Sequence, residues 1–193
     1  MTLKRTAAVA AAAIAGSYLA MRSPRLEAAE ARLAQWLRQP GGPVVDAVVG
    51  VTTDLGSVYA VAGAAGVLAV SGRGRAGRDL AAGALSAWVV AQAVKPMVGR
   101  TRPYQPHGGV AAHRLVAVPS GSAWPSGHPA VAAGAVVALT GLPGPARLVG
   151  HAVAVYVAWS RIYVGVHHPT DVVAGLGFGA LCGSAAAAVL RRR

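Results

Sequence analysis

Cysteine is almost missing from this 193-residue chain, with Cys182 standing alone. No disulfide can form within it, which excludes a disulfide-stapled fold. Acidic residues are scarce too, six against 18 basic ones, and charged residues of either sign make up only 12%. Intrinsic disorder needs high charge with low hydrophobicity; here 54% of residues are hydrophobic, so a disordered chain is excluded. The net charge of +12 would suit a nucleic-acid binder only if Lys and Arg were densely clustered on a polar surface. They fall instead in short groups between long uncharged stretches, and mean hydropathy is +0.50. No nucleic-acid partner is expected, and the pattern is that of a membrane protein whose positive charges flank its spans. Strand alternation and internal repeats are also lacking, which leaves an α-helical bundle as the spanning architecture. What is abundant is small side chains, 44 alanines and 25 glycines, and these let helix backbones approach closely in lipid.

Six apolar segments, separated by charges and by Pro/Gly punctuation, predict about six transmembrane helices in a single all-α polytopic domain covering 1–193. Segment 6–21 follows Lys4 and Arg5 and reads as a retained span, with a cleavable signal peptide as the alternative. Residues 23–39 mix Leu26, Leu33, Trp36 and Leu37 with arginines and glutamates. Leu26, Leu33 and Leu37 share one helical face, so an amphipathic helix at the membrane interface is expected. The second span, 43–70, is interrupted by Asp46 and Asp54, and its start is expected to be tilted or interfacial. A third span, 80–98, ends in Lys95-Pro96 and leads into the longest polar interval, 99–124. The fourth covers 127–142, the fifth 146–166 and the sixth 169–190.

Polar residues are costly near lipid and mark function there. Three clusters qualify: Lys95 to Pro103, Pro125-Ser126-Gly127-His128, and Ser160-Arg161 through His167 to Asp171. Counting crossings puts the end of span three, the start of four, the end of five and the start of six on one membrane face. Lys95, Arg102 and Arg161 then share a depth with His128, His167 and Asp171. Three cations suit a compact, multiply charged anion such as a phosphate, arginine as a planar fork and lysine as a point charge. Ser126 and Gly127 open a helix, where backbone N–H groups and the dipole also favour an anion. Two imidazoles from separate segments can divide the work of nucleophile and acid, and Asp171, four residues after His167, can fix its tautomer. No carboxylate cluster for a metal accompanies the motifs, so no metal or other cofactor is expected.

The spacing K-x6-RP, then PSGH, then SR-x5-H-x3-D resembles the signature of the type-2 phosphatidic acid phosphatase (lipid phosphate phosphatase) superfamily, matched without a substitution. That resemblance implies the integral membrane branch, since the apolar segments argue against the soluble vanadate-dependent haloperoxidases of the same superfamily. It implies His167 as the nucleophile that becomes phosphorylated, and His128 as the acid that protonates the leaving group and later activates water. Asp171 would support His167, while Lys95, Arg102, Ser126, Gly127 and Arg161 would hold the phosphate. The implied activity is hydrolysis of a lipid phosphate or diphosphate: phosphatidic acid, phosphatidylglycerol phosphate or a polyprenyl phosphate or diphosphate. A phosphotransferase using the same intermediate is the alternative within the enzyme class, and a transporter the alternative outside it.

The remaining polar residues receive plainer expectations. His151 is read as a packing histidine bonded to a neighbouring helix, His107 and His113 as solvated, and His168 is given no role. Trp124 and Tyr104 are read as interface anchors, Arg100 as attracting the anion without touching it, and Asp46 and Asp54 as partners for arginines at a span end. With the N terminus inside, nine basic residues lie on the inner face, Lys4, Arg5, Arg73, Arg75, Arg78, Arg147 and Arg191 to Arg193. Six remain outside once Lys95, Arg102 and Arg161 are set aside. Both termini are therefore expected in the cytoplasm, with the catalytic face outside.

Overall fold

Eight α-helices and one 3₁₀ turn make up the secondary structure of the computed structural model, which describes residues 3–105, 116–117 and 119–192. The helices are α1 (Leu3–Ala20), α2 (Pro24–Leu37), α3 (Pro43–Thr52), α4 (Val58–Val70), α5 (Gly74–Val98), α6 (Gly127–Ala138), α7 (Gly144–Tyr163) and α8 (Pro169–Leu190), with the 3₁₀ turn at Thr53–Gly56. Local chemistry marks their ends. Proline opens α2, α3 and α8, where its missing N–H costs nothing. Ser57 Oγ accepts the Ala60 N–H at 3.1 Å and caps α4, while Gly99, at φ 64°, ends α5 in a left-handed turn.

The six apolar segments correspond to α1, the α3–α4 pair, α5, α6, α7 and α8. Among the described residues, α5 and α8 are each long and apolar enough to cross a membrane by themselves. The α3–α4 pair would be a third only as a broken span, because it bends by 68°. This is the irregular start expected for segment 43–70. The fourth segment is shorter than expected: α6 stops at Ala138, before Thr140-Gly141-Leu142-Pro143. Twelve residues rise about 18 Å, less than the roughly 30 Å hydrocarbon core. Such a helix is accommodated because it is packed against α5, α7 and α8 and buried along most of its length.

The core is built from small residues. A Cβ on Gly134 would lie 2.4 Å from the carbonyl oxygen of Gly83, and one on Gly179 would lie 2.4 Å from that of Ala130. At these points α5, α6 and α8 meet backbone to backbone, the close approach that glycine permits. Large apolar side chains are turned outward: Val44, Val51, Tyr59, Val67, Val70, Leu148 and Val155 are all exposed. That arrangement suits lipid, and the chain is an integral membrane protein.

Helix α2 forms where the apolar periodicity placed it, and its two sides are unlike. Its packed face carries Glu30, Ala34 and Leu37, whereas Leu26, Leu33 and Trp36 are exposed. The side that meets protein does so through Glu30, whose carboxylate pairs with Arg100.

Backbone contact between α5 and α6 generates a packing prediction. Gly134→Val should lower the thermal midpoint in detergent by several degrees, since overpacking costs about 1–3 kcal/mol. Gly66→Ala, in α4 with nothing within 4 Å of the added Cβ, should not lower it. Equal midpoints for wild type and Gly134→Val, measured by a thermal shift assay, would contradict this packing.

Candidate active site

A cavity of about 580 Å³ is lined by Lys95, Arg102, Gly127, His128, Arg161 and His167, together with Gly56, Trp88, Gln92 and other residues. Each charged residue comes from a helix end or its adjoining loop: Lys95 from the last turn of α5, His128 from the first turn of α6, Arg161 from the last turn of α7. His167 sits between α7 and α8. The three sequence clusters thus meet at one end of the bundle.

His167 is buried and held on both ring nitrogens. Nδ1 lies 3.3 Å from Asp171 Oδ2, and Nε2 lies 3.3 Å from an Arg102 guanidinium nitrogen. A carboxylate beside Nδ1 favours a proton there, which leaves the lone pair on Nε2, the side facing Arg102. Burial holds the imidazole down at about 3, below the ordinary 6.5; Asp171 pulls the other way, and Arg102 and Arg161 add to the lowering. The ring is therefore neutral at physiological pH. Asp171, fully buried in the first turn of α8, spends its second contact well: Oδ2 also accepts the His168 backbone N–H at 2.8 Å.

The cations are organised by a loop. Arg102 donates to the carbonyls of Gly121 (3.1 Å), Ser120 (3.3 Å), Ser122 (3.3 Å) and Val166 (3.0 Å), and Lys95 Nζ donates to Ser122 O at 3.0 Å. Arg161 is positioned from the other side. Its guanidinium donates to Thr53 Oγ1 at 3.1 Å, and Thr53 Oγ1 is 2.8 Å from Ser160 Oγ. Arg161 Nε and Ser126 Oγ are buried with no hydrogen-bond partner among the described residues. An unpaired buried donor is costly; of these two residues Arg161 lines the cavity and Ser126 does not. The Ser126 N–H donates to the Asp171 carbonyl at 2.9 Å. Of the helix-opening pair, Gly127 is the one that lines the cavity.

Several residues near the site carried no sequence signal for their place in it. Thr53 and Asp54 belong to the 3₁₀ turn at the bend between α3 and α4. Asp54 Oδ1 lies 3.3 Å from His128 Nε2, so this second histidine has a carboxylate of its own. A Cβ on Gly56 would meet the His128 carbonyl oxygen at 2.8 Å, so glycine lets this turn approach α6. Asp46 accepts from the Tyr163 hydroxyl. Among the described residues, Asp54 pairs with His128 and not with an arginine as expected. Arg100 is also not directed at the cavity: it bonds Asp171 Oδ1 at 2.6 Å and Glu30 Oε2 at 2.5 Å.

Trp124 and Tyr104 are buried rather than anchored at an interface. Trp124 packs edge-on between Tyr18 and Phe178 and is 3.3 Å from Ser17 Oγ, and Tyr104 donates to Pro119 O at 2.6 Å. Their polar tips found partners inside, which let both rings leave the interface. His151 bonds a carbonyl of its own helix, Arg147 O, at 2.7 Å, not a neighbouring one. His107 and His113 lie outside the described residues.

Residues 76–193, which include all three motifs, match the model of the PAP2 superfamily. The chain belongs to that superfamily. Among curated PAP2-like relatives, the decaprenylphosphoryl-5-phosphoribose phosphatase of Mycolicibacterium smegmatis is 40% identical over 115 residues, covering 58% of this chain and 59% of that protein. The chain thus aligns over about six-tenths of that relative's length. Two solved structures share the PAP2 fold. The phosphatidylglycerolphosphate phosphatase of Bacillus subtilis superimposes with a TM-score of 0.70 at 21% identity, over 98% of this chain and 94% of that one. LpxE of Aquifex aeolicus gives 0.68 at 22% identity, over 84% and 94%.

The neutral state of His167 has a measurable consequence. Its folded-state value lies below the unfolded one, so the unfolded chain binds the extra proton between about pH 6.5 and 3. The stabilisation is present above 6.5 and is lost as pH falls towards 3. Thermal midpoints measured from pH 7 to 4 should therefore fall less steeply for His167→Gln than for wild type. Parallel curves would contradict a buried neutral imidazole.

Proposed function

We propose that this PAP2 protein is a membrane phosphatase that hydrolyses a lipid phosphate or diphosphate through a phosphohistidine at His167. The observation that carries the reading is the neutral, Asp171-bonded imidazole at a cavity lined by Lys95, Arg102 and Arg161. The Nε2 lone pair attacks phosphorus, and the bond to the leaving oxygen breaks. His128 gives that oxygen a proton as general acid. In the second half, His128 takes a proton from water, the water oxygen bonds to phosphorus, and the P–N bond breaks to release phosphate and His167. Phosphoryl transfer depends on positioning and charge stabilisation, and the three cations supply both, with Gly127 allowing close approach. The free Nε of Arg161 adds one more contact to the phosphoryl oxygens, while Ser126 serves by fixing the start of α6 through its N–H bond to the Asp171 carbonyl. Asp54 orients His128 as Asp171 orients His167. No step draws on a metal.

The name of the mycolicibacterial relative supports a polyprenyl-linked phosphate as the substrate class. Phosphatidic acid and phosphatidylglycerol phosphate are the competing lipids, and a polyprenyl diphosphate the competing anhydride. The purified protein should release phosphate from a polyprenyl-linked phosphate faster than from either glycerolipid, with EDTA present. His167→Ala should abolish release, and His128→Ala should reduce it by about 10²–10⁴-fold, the usual worth of a general acid. Phosphate release by His167→Ala at the wild-type rate would overturn the mechanism. Phosphorylation of an added alcohol in place of water would reassign the protein as a phosphotransferase.

The same reading sets the topology. Both termini lie in the cytoplasm and the cavity opens outside, by the balance of basic residues that do not serve the site. Intact cells expressing the protein should then hydrolyse an added membrane-impermeant short-chain lipid phosphate without lysis. Hydrolysis that appears only after permeabilisation would place the site inside.

A further inference from the structure

Behind His167, away from the cavity, lies a buried network that the mechanism above does not use. Arg100 sits between two carboxylates: one guanidinium nitrogen is 2.6 Å from Asp171 Oδ1 and another 2.5 Å from Glu30 Oε2. Their side chains are 13%, 0% and 7% exposed for Arg100, Asp171 and Glu30. Glu30 Oε1 accepts two more bonds, from the Thr170 backbone N–H at 2.7 Å and from Thr170 Oγ1 at 2.6 Å. Thr170 stands in the first turn of α8, beside Asp171. At the end of α2, Arg38 reaches the same region and donates to Ile162 O at 3.1 Å. Helix α2 is thus fastened to the segment that carries His167 and Asp171. Glu30 precedes the part of the chain that matches the superfamily.

We propose that Glu30 is a positioning residue for phosphoryl transfer: acting through Arg100, it keeps Asp171 in place and keeps the charge behind His167 from turning positive. This rests on the phosphohistidine reading. When Nε2 bonds to phosphorus and the P–O bond to the leaving group breaks, the ring still carries its Nδ1 proton and becomes cationic. Asp171 is the group that balances that charge. An arginine paired with Asp171 alone would cancel it. A guanidinium shared between two carboxylates leaves one net negative charge, which offsets the Arg38 guanidinium that donates to His167 O at 3.4 Å; without Glu30 the groups behind the ring would be net positive. In a low-dielectric interior that single charge matters far more than it would in water. It also acts on the charged transition state rather than on the bound substrate, so its loss should appear in kcat and not in KM.

The test uses the full-length protein and farnesyl phosphate in detergent micelles. Glu30→Gln keeps the size and an acceptor for Thr170 but removes the charge. It should lower kcat about 10-fold, equivalent to about 1.4 kcal/mol of lost transition-state stabilisation. KM should stay within about two-fold, while the thermal midpoint falls, since a buried pair loses one charge. Glu30→Asp, which keeps the charge, should recover part of kcat. Wild-type kcat in Glu30→Gln overturns the proposal, as does a loss confined to KM. Should Glu30→Gln not fold, Arg100→Lys takes its place, since an ammonium cannot fork between the two carboxylates; it should lower kcat with KM unchanged. If neither variant folds, the bridge is a folding element and the proposal is overturned. His167→Ala in the same assay separates the two readings: if it stays active the phosphohistidine mechanism fails, and if it is inactive while Glu30→Gln matches wild type, only the role of Glu30 fails.

Discussion

A carboxylate with no exposed surface, set into a bundle of alanine, glycine and valine, is stable as an anion only if donors surround it. Asp171 gathers them from three places: the His167 ring, the His168 backbone and the Arg100 guanidinium. Each in turn constrains a part of the chain. The His168 bond shapes the first turn of α8, the His167 bond aims Nε2, and Arg100 brings in Glu30 and with it α2. Its backbone takes part too, since the Asp171 carbonyl accepts the Ser126 N–H and so fixes the start of α6 against α8. Breaking a buried pair by removing one partner typically costs about 3–5 kcal/mol, a large share of a domain's total stability. One residue therefore joins the folding of this end of the bundle to its chemistry.

The opposite wall of the cavity follows the same logic with a different element. The 68° bend between α3 and α4 interrupts an apolar segment and delivers Thr53 to Arg161 and Asp54 to His128. An unbroken helix through these residues would leave Arg161 without its hydroxyl partner and His128 without a carboxylate. Glycine completes the fit: Gly56 allows the turn to approach α6, and Gly134 lets α6 sit against α5. The abundance of small residues therefore serves two purposes, close packing of helices in lipid and close approach of backbone at the site.

What could be read in the sequence was local or motif-borne. The all-helical fold, the apolar segments and the convergence of Lys95, Arg102, His128, Arg161 and His167 follow from hydropathy, from counting crossings and from the three spaced motifs. What could not be read depends on pairs far apart in the chain. Glu30 and Thr170 are separated by 140 positions, and no single-chain pattern joins them. Asp54 looked like an interruption of a span, because a carboxylate in an apolar run announces a polar environment without naming its partner. Trp124 and Tyr104 have the composition of interface residues, but buried acceptors drew them inside. Helix α2 shows the limit most clearly: periodicity revealed an amphipathic helix, but not that Glu30 meets Arg100 on its protein-facing side.

The account centres on the His167 Nε2 lone pair and the bond it forms with phosphorus. Rapid acid-free quenching of His128→Ala with an aryl phosphate carrying labelled phosphorus, followed by peptide mapping, addresses that bond directly. His128→Ala removes the acid of the first step and the base of the second. With the aryl phosphate in place of the lipid, the leaving oxygen needs no proton and the intermediate still forms. Label should then accumulate on the peptide containing His167, stable to base and labile to acid. Label on another residue, or turnover of substrate by the wild type with no labelled protein at any time, would contradict the account.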